Sequence, residues 1–501
     1  MRIVLAILSM VTVGVLGGIP TSFADTLIKD ARIIDGTGKP AFLGSVRISG
    51  ERIVSIGDLI PTSGDTIFDA KGLTLSPGFI DTHSHHDWGL SENRDALAVI
   101  TQGITTSIFG QDGEHDFPLQ SSLDVFRERP VSMNIASYVG HNTLRNTVMG
   151  EGAKREATGD EISAMKTILR AEMAAGAIGL STGLEYEPGI YSSSAEVIEL
   201  AQLTANLGGR YISHIRSEDR FFWPAINEII NIGRQTGMPV QISHIKLAIK
   251  EIWGQTAKLL NILNQARAEG VNITADIYPY EYWESTLWVL LPERDADDLN
   301  EIQNVLDNIT PSDGIVFMIY GPDPSYVGKT LADISVLRGL SDAETFSELL
   351  KESDIWQEEH QSQGQSVMGK SMLSQDIGEL MKWEHTNICT DGGFEGHPRG
   401  YGAFPRFLSY FVNRMDLMSL EEGIRRMTSL AAHNMGLKDR GEIKVDAYAD
   451  LVLFNEETIK DNASIENPSA ISKGIEMVWV NGQLALNQGQ ATHYYSGKVI
   501  K

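Results

Sequence analysis

The stretch Leu75-Ser76-Pro77-Gly78-Phe79-Ile80-Asp81-Thr82-His83-Ser84-His85 is an apolar run that ends in two histidines one residue apart. Side chains alternate between the two faces of a β-strand. His83 and His85 therefore point the same way from the strand end and lie close enough to share one ion. Because imidazole is a common ligand of zinc and similar divalent ions, this stretch predicts a metal site at the end of a strand.

Seven further apolar runs predict buried strands that end in polar residues. The runs are Ile104–Phe109, Met133–Val139, Ala177–Thr182, Arg210–Ser213, Val240–Ser243, Val271–Ile277 and Thr386–Thr390. The polar residues that follow them are Asp112, His141, Glu185, His214, His244, Tyr278 and Asp391. These positions mark one end of every predicted strand.

Helical patterns separate most of these strands. Ser193 and Glu196 form a capping box that opens a helix over Val197–Leu207, and Thr256–Ala268 is amphipathic and stops before Gly270. Strands that alternate with helices predict parallel βαβ units. Eight such units predict an α/β fold of the (β/α)8 barrel type, whose active site lies at the carboxyl ends of the strands.

The chain is expected to contain two parts besides the barrel strands and helices. Residues 25–75 and 440–501 both read as short strands and turns, which predicts one small β-sandwich domain built from both termini. The barrel then occupies residues 76–439. The strand–helix rhythm breaks between the seventh and eighth strands, where residues 285–384 are expected to contain an inserted lid or subdomain.

Residues 1–24 have the features of a secretory signal peptide. Arg2 precedes the apolar run Ile3–Leu16, and Ser22-Phe23-Ala24 resembles a cleavage site. We expect cleavage after Ala24, export, a periplasmic location and no stable membrane insertion of the mature chain. A retained membrane anchor is the alternative, although the apolar run is short for a span.

Composition and charge limit the partners and the cross-links that the chain can have. The chain has 501 residues, 42% of them hydrophobic, and a formal net charge of −25, which argues against nucleic acid or anionic lipid as a partner. Cys389 is the single cysteine, so no intramolecular disulfide can form. Oligomeric state is left open.

Several segments together resemble the amidohydrolase superfamily, and within it the N-acyl-D-amino-acid deacylase (D-aminoacylase) family. They are Pro77–His85, Gly103–Thr106, Gly140–Arg145, Gly179–Leu184, Ile212–Glu218, Ile242–Lys246, Asp391-Gly392, His397–Arg399 and Gly441–Val452. The resemblance covers the mature chain except much of the insertion. It implies a zinc-dependent amidohydrolase that splits N-acyl-D-amino acids into a carboxylic acid and a D-amino acid by metal-bound hydroxide.

The resemblance also implies roles for single residues. His83, His85, His214 and His244 look like ligands of one or two zinc ions, and Asp391 looks like the catalytic acid and base. The positions that resemble the family's substrate-carboxylate grip are Lys246, Tyr278, Ser285 and Arg399. Ordinary alternatives remain for two of them: Lys246 as a solvated lysine of the barrel rim, and Arg399 as half of a loop salt bridge.

The sequence departs from the family after the second strand, where Asp112 stands in place of a metal-binding cysteine. An oxygen ligand in place of a thiolate leaves open the identity and number of the metal ions. It also makes Glu185 a candidate bridging carboxylate, with a plain loop carboxylate as the alternative. His141 is a candidate for substrate orientation or, equally, a hydrogen-bonded structural histidine.

Elementary chemistry supports the implied activity, because zinc lowers the pKa of bound water to ~7 and polarises a carbonyl. A carboxylate beside that water, here Asp391, can move the proton to the leaving nitrogen. A dipeptidase or a cyclic-amide hydrolase on the same scaffold is the nearest alternative. An exported binding protein without catalytic activity is the alternative from another class, although it would need no base beside a metal.

Overall fold

The computed structural model describes residues 24–501, so the predicted signal peptide lies outside the described residues apart from Ala24. No helix within residues 24–501 combines the length and the apolar character needed to cross a membrane.

The strands fall along the whole described chain. They are β1 (Thr26–Ile33), β2 (Phe42–Ser49), β3 (Arg52–Gly57), β4 (Thr66–Asp69), β5 (Thr74–Pro77), β6 (Phe79–Asp81), β7 (Ile104–Phe109), β8 (Asn134–Ser137), β9 (Val139–Gly140), β10 (Gly179–Gly183), β11 (Arg210–His214), β12 (Val240–Ile242), β13 (Ile273–Ile277), β14 (Tyr282–Ser285), β15 (Ile315–Tyr320), β16 (Gln365–Lys370), β17 (Thr386–Ile388), β18 (Leu451–Phe454), β19 (Ile475–Val480), β20 (Gln483–Asn487) and β21 (Gln490–Ala491).

The helices alternate with the middle strands. They are α1 (Leu97–Ile100), α2 (Leu119–Glu128), α3 (His141–Met149), α4 (Gly159–Ala175), α5 (Ser194–Asn206), α6 (Phe222–Thr236), α7 (Thr256–Ala268), α8 (Leu299–Asn308), α9 (Leu331–Arg338), α10 (Asp342–His360), α11 (Ser374–Lys382), α12 (Arg399–Arg406), α13 (Leu420–Met427) and α14 (Ser429–Met435). A π-helical segment, Phe407–Arg414, continues α12.

Eight parallel strands close into the predicted barrel. One sheet has the order β6-β7-β8 and the other the order β17-β13-β12-β11-β10-β9. Only Tyr138 separates β8 from β9, which are therefore two halves of one barrel strand. At the other junction the amide of Asp391 donates to the carbonyl of His83, and the amide of His85 donates to the carbonyl of Gly392, each over 2.9 Å. The ring is closed, and every predicted strand contributes to it.

The first predicted strand needs a correction, because its residues belong to two different sheets. β5 pairs with β1 and β18, whereas β6 pairs with β7 in the barrel. The chain crosses between the sheets at Gly78, where a Cβ atom would lie 2.1 Å from the hydroxyl oxygen of Thr105. A side chain cannot fit there, so glycine is required at the point where the chain passes from β5 to β6.

Both termini contribute to one nine-stranded sheet rather than to a sandwich of two sheets. Its order is β21-β20-β19-β18-β5-β1-β2-β3, with β4 also paired to β1. Antiparallel pairing of β18 with β5 joins the C-terminal strands to the N-terminal ones. The sheet branches because one edge of β1 pairs with β4 over its first half and with β5 over its second half.

The segment between the seventh and eighth barrel strands folds as a unit. β14, β16 and β15 form an antiparallel sheet with β16 in the middle, and α8, α9 and α10 lie between these strands in sequence. This sheet starts at Tyr282, directly after the seventh barrel strand. The chain then returns to the barrel through α11 and β17.

Candidate metal centre and substrate pocket

The candidate ligands lie where the chain turns sharply away from the barrel. Asp112, His244 and Asp391 have positive φ angles of 52°, 35° and 49°, a region that residues other than glycine rarely adopt. Hydrogen bonds hold two of these turns: the amide of His244 donates to a carboxylate oxygen of Asp276 over 2.6 Å, and that of Asp391 donates to the carbonyl of His83. Such conformations collect at functional sites, where the surrounding structure enforces them.

His83 and His85 face two carboxylates. The Nε2 atom of His83 lies 3.4 Å from Oδ2 of Asp112 and 3.2 Å from Oδ1 of Asp391. The Nε2 atom of His85 lies 3.3 Å and 3.4 Å from the same two oxygens. Two nitrogens and two oxygens thus surround one small space at the mouth of the barrel.

His214 and His244 form a second pair beside the first. Nδ1 of His214 lies 3.1 Å from Nε2 of His244, and that nitrogen lies 3.5 Å from Oδ1 of Asp112. The two oxygens of Asp112 therefore face different histidine pairs. Asp112 thus lies between the two histidine pairs, whereas Glu185 contacts His214.

Each histidine of the second pair lies close to a carboxylate through its other ring nitrogen. Oε2 of Glu185 lies 2.9 Å from Nε2 of His214, and Oε1 of Glu218 lies 3.0 Å from Nδ1 of His244. Lys246 donates to both oxygens of Glu218 over 2.7 Å. Burial by itself would raise the pKa of Glu218, but Lys246 and the two histidines lower it below its ordinary value.

The donor set fits a divalent cation. Both ring nitrogens of His83 and Oδ1 of Asp112 are buried and make no hydrogen bond of acceptable geometry, an arrangement that costs stability unless another group satisfies these atoms. One potential ligand atom from each of His83, Asp112, His244 and Asp391 lies within 4.8 Å of all the others, and the same holds for His214, Glu218 and His244. Nitrogen and carboxylate donors at these separations match a metal centre.

Asp391 also contacts a cation from the loop that follows it. Its Oδ2 lies 2.7 Å from Nη1 of Arg399, whose guanidinium carbon is 4.6 Å from the ring centroid of Tyr278. Burial alone would raise the pKa of Asp391, yet Arg399, His244 and His83 hold it well below its usual range. Asp391 is therefore ionised at neutral pH and able to accept a proton.

A pocket with about 450 Å³ of empty space, open to solvent, leads to this centre. His214, His244, Asp391 and Arg399 lie at its polar side, and Ser285 lies on its wall. The hydroxyl of Tyr278 is buried without a hydrogen-bond partner. Ser285 and Arg399 thus line the pocket, as expected for residues that bind the substrate carboxylate. The ring of Tyr278 lies beside Arg399.

Two of the candidate substrate-binding residues are paired with buried glutamates. His141 is fully buried against Glu196, 2.8 Å away, which also binds Arg145, and it is not among the residues that line the pocket. At the start of α3, these contacts match the structural alternative that the sequence left open. Lys246 lies in the pocket as expected and donates to both oxygens of Glu218, as Arg399 pairs with Asp391.

Glu218 is the site residue that the sequence analysis missed. It follows His214 by four residues within the segment Ile212–Glu218, beyond the end of β11. A spacing of four residues predicts no contact in an irregular loop. Only the turn after β11 brings the Glu218 carboxylate beside His244. Its place in a segment that resembles the family was the one available signal.

Comparisons with known proteins agree with this geometry. The model of the family described as "Amidohydrolase family" matches residues 66–302 and 328–485. The N-acyl-D-glutamate deacylase of Alcaligenes xylosoxydans xylosoxydans is 33% identical over 95% of this chain and 96% of its own length.

Two solved structures share the whole architecture. A D-aminoacylase studied for the role of its binuclear metal centre is 31% identical, with a TM-score of 0.83 over 95% of this chain and 99% of that one. The N-acyl-D-glutamate deacylase of Bordetella bronchiseptica, complexed with zinc and a phosphonate that mimics the tetrahedral intermediate, is 30% identical with a TM-score of 0.84 over the same shares. The chain belongs to the amidohydrolase family, and within it to the D-aminoacylases and N-acyl-D-amino-acid deacylases.

Proposed function

We propose that this chain is a zinc-dependent hydrolase that cleaves the amide bond of N-acyl-D-amino acids. The observation that carries the proposal is the convergence of four histidines, Asp112 and Asp391 around one small space, with Arg399 beside it in the pocket. Relatives that match nearly the whole chain bear the names of deacylases, and one of them binds zinc.

The geometry suits two adjacent metal positions. His83 and His85 would hold one ion, His214 and His244 the other, and Asp112 would bridge them. When bound, zinc lowers the pKa of a coordinated water to about 7 and polarises the scissile carbonyl. The relative with a binuclear centre supports this arrangement.

Asp391 is the proposed general base and acid. It is ionised, buried and adjacent to His83 and His85, so it can take a proton from the attacking water. The same carboxyl group then donates that proton to the amide nitrogen as the carbon–nitrogen bond breaks. The products are a carboxylic acid and a D-amino acid.

Arg399 is the proposed anchor for the substrate's α-carboxylate. Its guanidinium is buried and stacks on Tyr278, and a guanidinium can bind a carboxylate through two parallel hydrogen bonds. The Ser285 side chain and the free hydroxyl of Tyr278 are further donors for this group.

Lys246 and Glu218 are proposed to position His244 rather than to bind substrate. A metal ion on Nε2 of His244 would leave Nδ1 to Glu218 and Lys246, whose Oε1 and Nζ atoms lie 3.0 Å and 2.7 Å from it. Lys246 fixes the glutamate through both of its oxygens. A carboxylate behind a metal-binding histidine commonly sets its tautomer and orientation.

Residues 1–24 are proposed to direct export to the periplasm, on the basis of their charge and apolar pattern. We expect the chain recovered from the periplasmic fraction of its own host to begin at Asp25. Mass spectrometry of the N-terminal peptide checks this. A chain that retains Met1 and sediments with membranes would instead support the anchor.

The proposed activity predicts a stereochemical preference. The zinc-loaded enzyme should hydrolyse N-acetyl-D-leucine much faster than N-acetyl-L-leucine, as measured by release of the free amino acid. Asp391→Asn should lower kcat by about 10²–10⁴-fold, because the amide cannot accept the proton. Asp416→Asn is the matched control, since Asp416 has a similar φ of 51° and is exposed. Turnover of D-dipeptides or hydantoins alone would favour the rival activities.

The bridging position of Asp112 predicts a loss of metal. In Asp112→Ala both histidine pairs lose a shared oxygen donor, so the purified chain should hold at least one zinc ion fewer. Inductively coupled plasma mass spectrometry measures the zinc content. Asp116→Ala removes an exposed carboxylate four residues away and should keep all zinc. Full zinc in Asp112→Ala would remove Asp112 from the ligand set.

The contact between Glu218 and His244 predicts weaker metal binding when its charge is removed. Glu218→Gln should reduce zinc affinity by about 10–100-fold, measured by competition with a chromogenic chelator. Glu199→Gln, which changes an exposed glutamate paired with Lys166, should leave the affinity unchanged. Equal affinity in the two variants would contradict the positioning role.

A further inference from the structure

The positive charges of the pocket are already engaged. Lys246 and Arg399 are the cationic side chains among the described residues that line it. Lys246 is paired with both oxygens of Glu218, and Arg399 is paired with Asp391 and is the proposed anchor of the α-carboxylate. Neither remains for a second carboxylate on the substrate.

The other charged residues of the lining are carboxylates. Glu185, Asp219 and Glu284 join Glu218 and Asp391 there. Arg220 lies beside Asp219, but it is bound to Glu301 and to the carbonyl of Leu290 and does not line the pocket. An additional carboxylate on the substrate would therefore face acidic side chains, with no unpaired cation in the lining to bind it.

The remaining wall is apolar and comes mainly from the insertion. It consists of Ala248, Trp283, Val289, Leu290 and Ile309. Trp283 and Ser285 lie two residues apart on β14, on one face of that strand. Because the α-carbon of the substrate carries both the carboxylate and the side chain, a side chain next to a carboxylate bound by Ser285 and Arg399 can reach this wall.

We infer that the pocket selects N-acyl-D-amino acids with neutral, apolar side chains and rejects those of D-glutamate and D-aspartate. The inference rests on the proposed function for the reaction, and it sets this chain apart from the relatives named for D-glutamate. Apolar burial favours one class of substrate, while an unpaired carboxylate against Asp219 and Glu284 disfavours the other.

Kinetics on the zinc-loaded chain test the selectivity. We expect kcat/KM for N-acetyl-D-leucine to exceed that for N-acetyl-D-glutamate and N-acetyl-D-aspartate by ~100-fold or more. Equal values, or a preference for the acidic substrates, would overturn the inference.

Binding measurements separate this inference from the proposed reaction. Calorimetry on the zinc-loaded Asp391→Asn chain should show at least ~10-fold tighter binding of N-acetyl-D-leucine than of N-acetyl-D-glutamate. Preferential binding without hydrolysis by the unaltered chain would refute the proposed reaction and support the selectivity. No binding of N-acetyl-D-leucine, or no preference, would refute the selectivity even if hydrolysis were found.

A charge placed on the apolar wall should reverse part of the preference. Val289→Lys puts an ammonium in the lining and should raise the kcat/KM ratio of the D-glutamate to the D-leucine substrate by about 10-fold. Val336→Lys is the matched control, because Val336 also belongs to the insertion but is 83% exposed and lies outside the lining. An unchanged ratio in Val289→Lys, or an equal change in both variants, would contradict the assignment of this wall to the side chain.

Discussion

The amide of Asp391 donates to the carbonyl of His83, and the amide of His85 donates to the carbonyl of Gly392. These two hydrogen bonds join the first and eighth barrel strands, and they involve the same residues whose side chains form half of the metal centre. Asp81 strengthens the seam, since its carboxylate accepts from the amide and the hydroxyl of Thr390 over 2.9 Å and 2.6 Å. The pairing of these two strands, whose residues lie more than 300 positions apart, thus also places Asp391 beside His83 and His85.

The same region contains several locally unfavourable features. Asp112, His244 and Asp391 adopt positive φ angles, which cost of order 1–3 kcal/mol each, and His83 has two buried ring nitrogens without partners. A fold keeps such features only where surrounding bonds enforce them. Here Asp276 binds the amide of His244 and the side chain of Gln241. The rigid strand ends therefore hold several donors that a bound cation would satisfy.

Sequence alone was sufficient for the features that depend on local pattern. The helix Thr256–Ala268 and the strand Ile104–Phe109 have the predicted bounds, and Ser193 caps α5 as its spacing indicates. Features that depend on distant partners were beyond it. The run around Pro77-Gly78 divides between two sheets because its halves pair with different distant strands, and His141 is paired with Glu196, 55 positions away. Glu218 needed the loop geometry after β11 before its contact with His244 could be recognised.

The residues of the apolar pocket wall and those of the candidate metal centre lie on different parts of the chain. The chain leaves the barrel directly after Tyr278 and returns to place Asp391, so the inserted strands and helices are tied at both ends to the pocket. The groups that would move protons or hold metal lie on strand ends that closure of the barrel fixes. Trp283, Val289, Leu290 and Ile309, which form most of the apolar wall, lie on the insertion and make no contribution to the ring of strands. Changes in that wall can therefore alter which substrates fit while the strand ends that carry the candidate metal ligands keep their geometry.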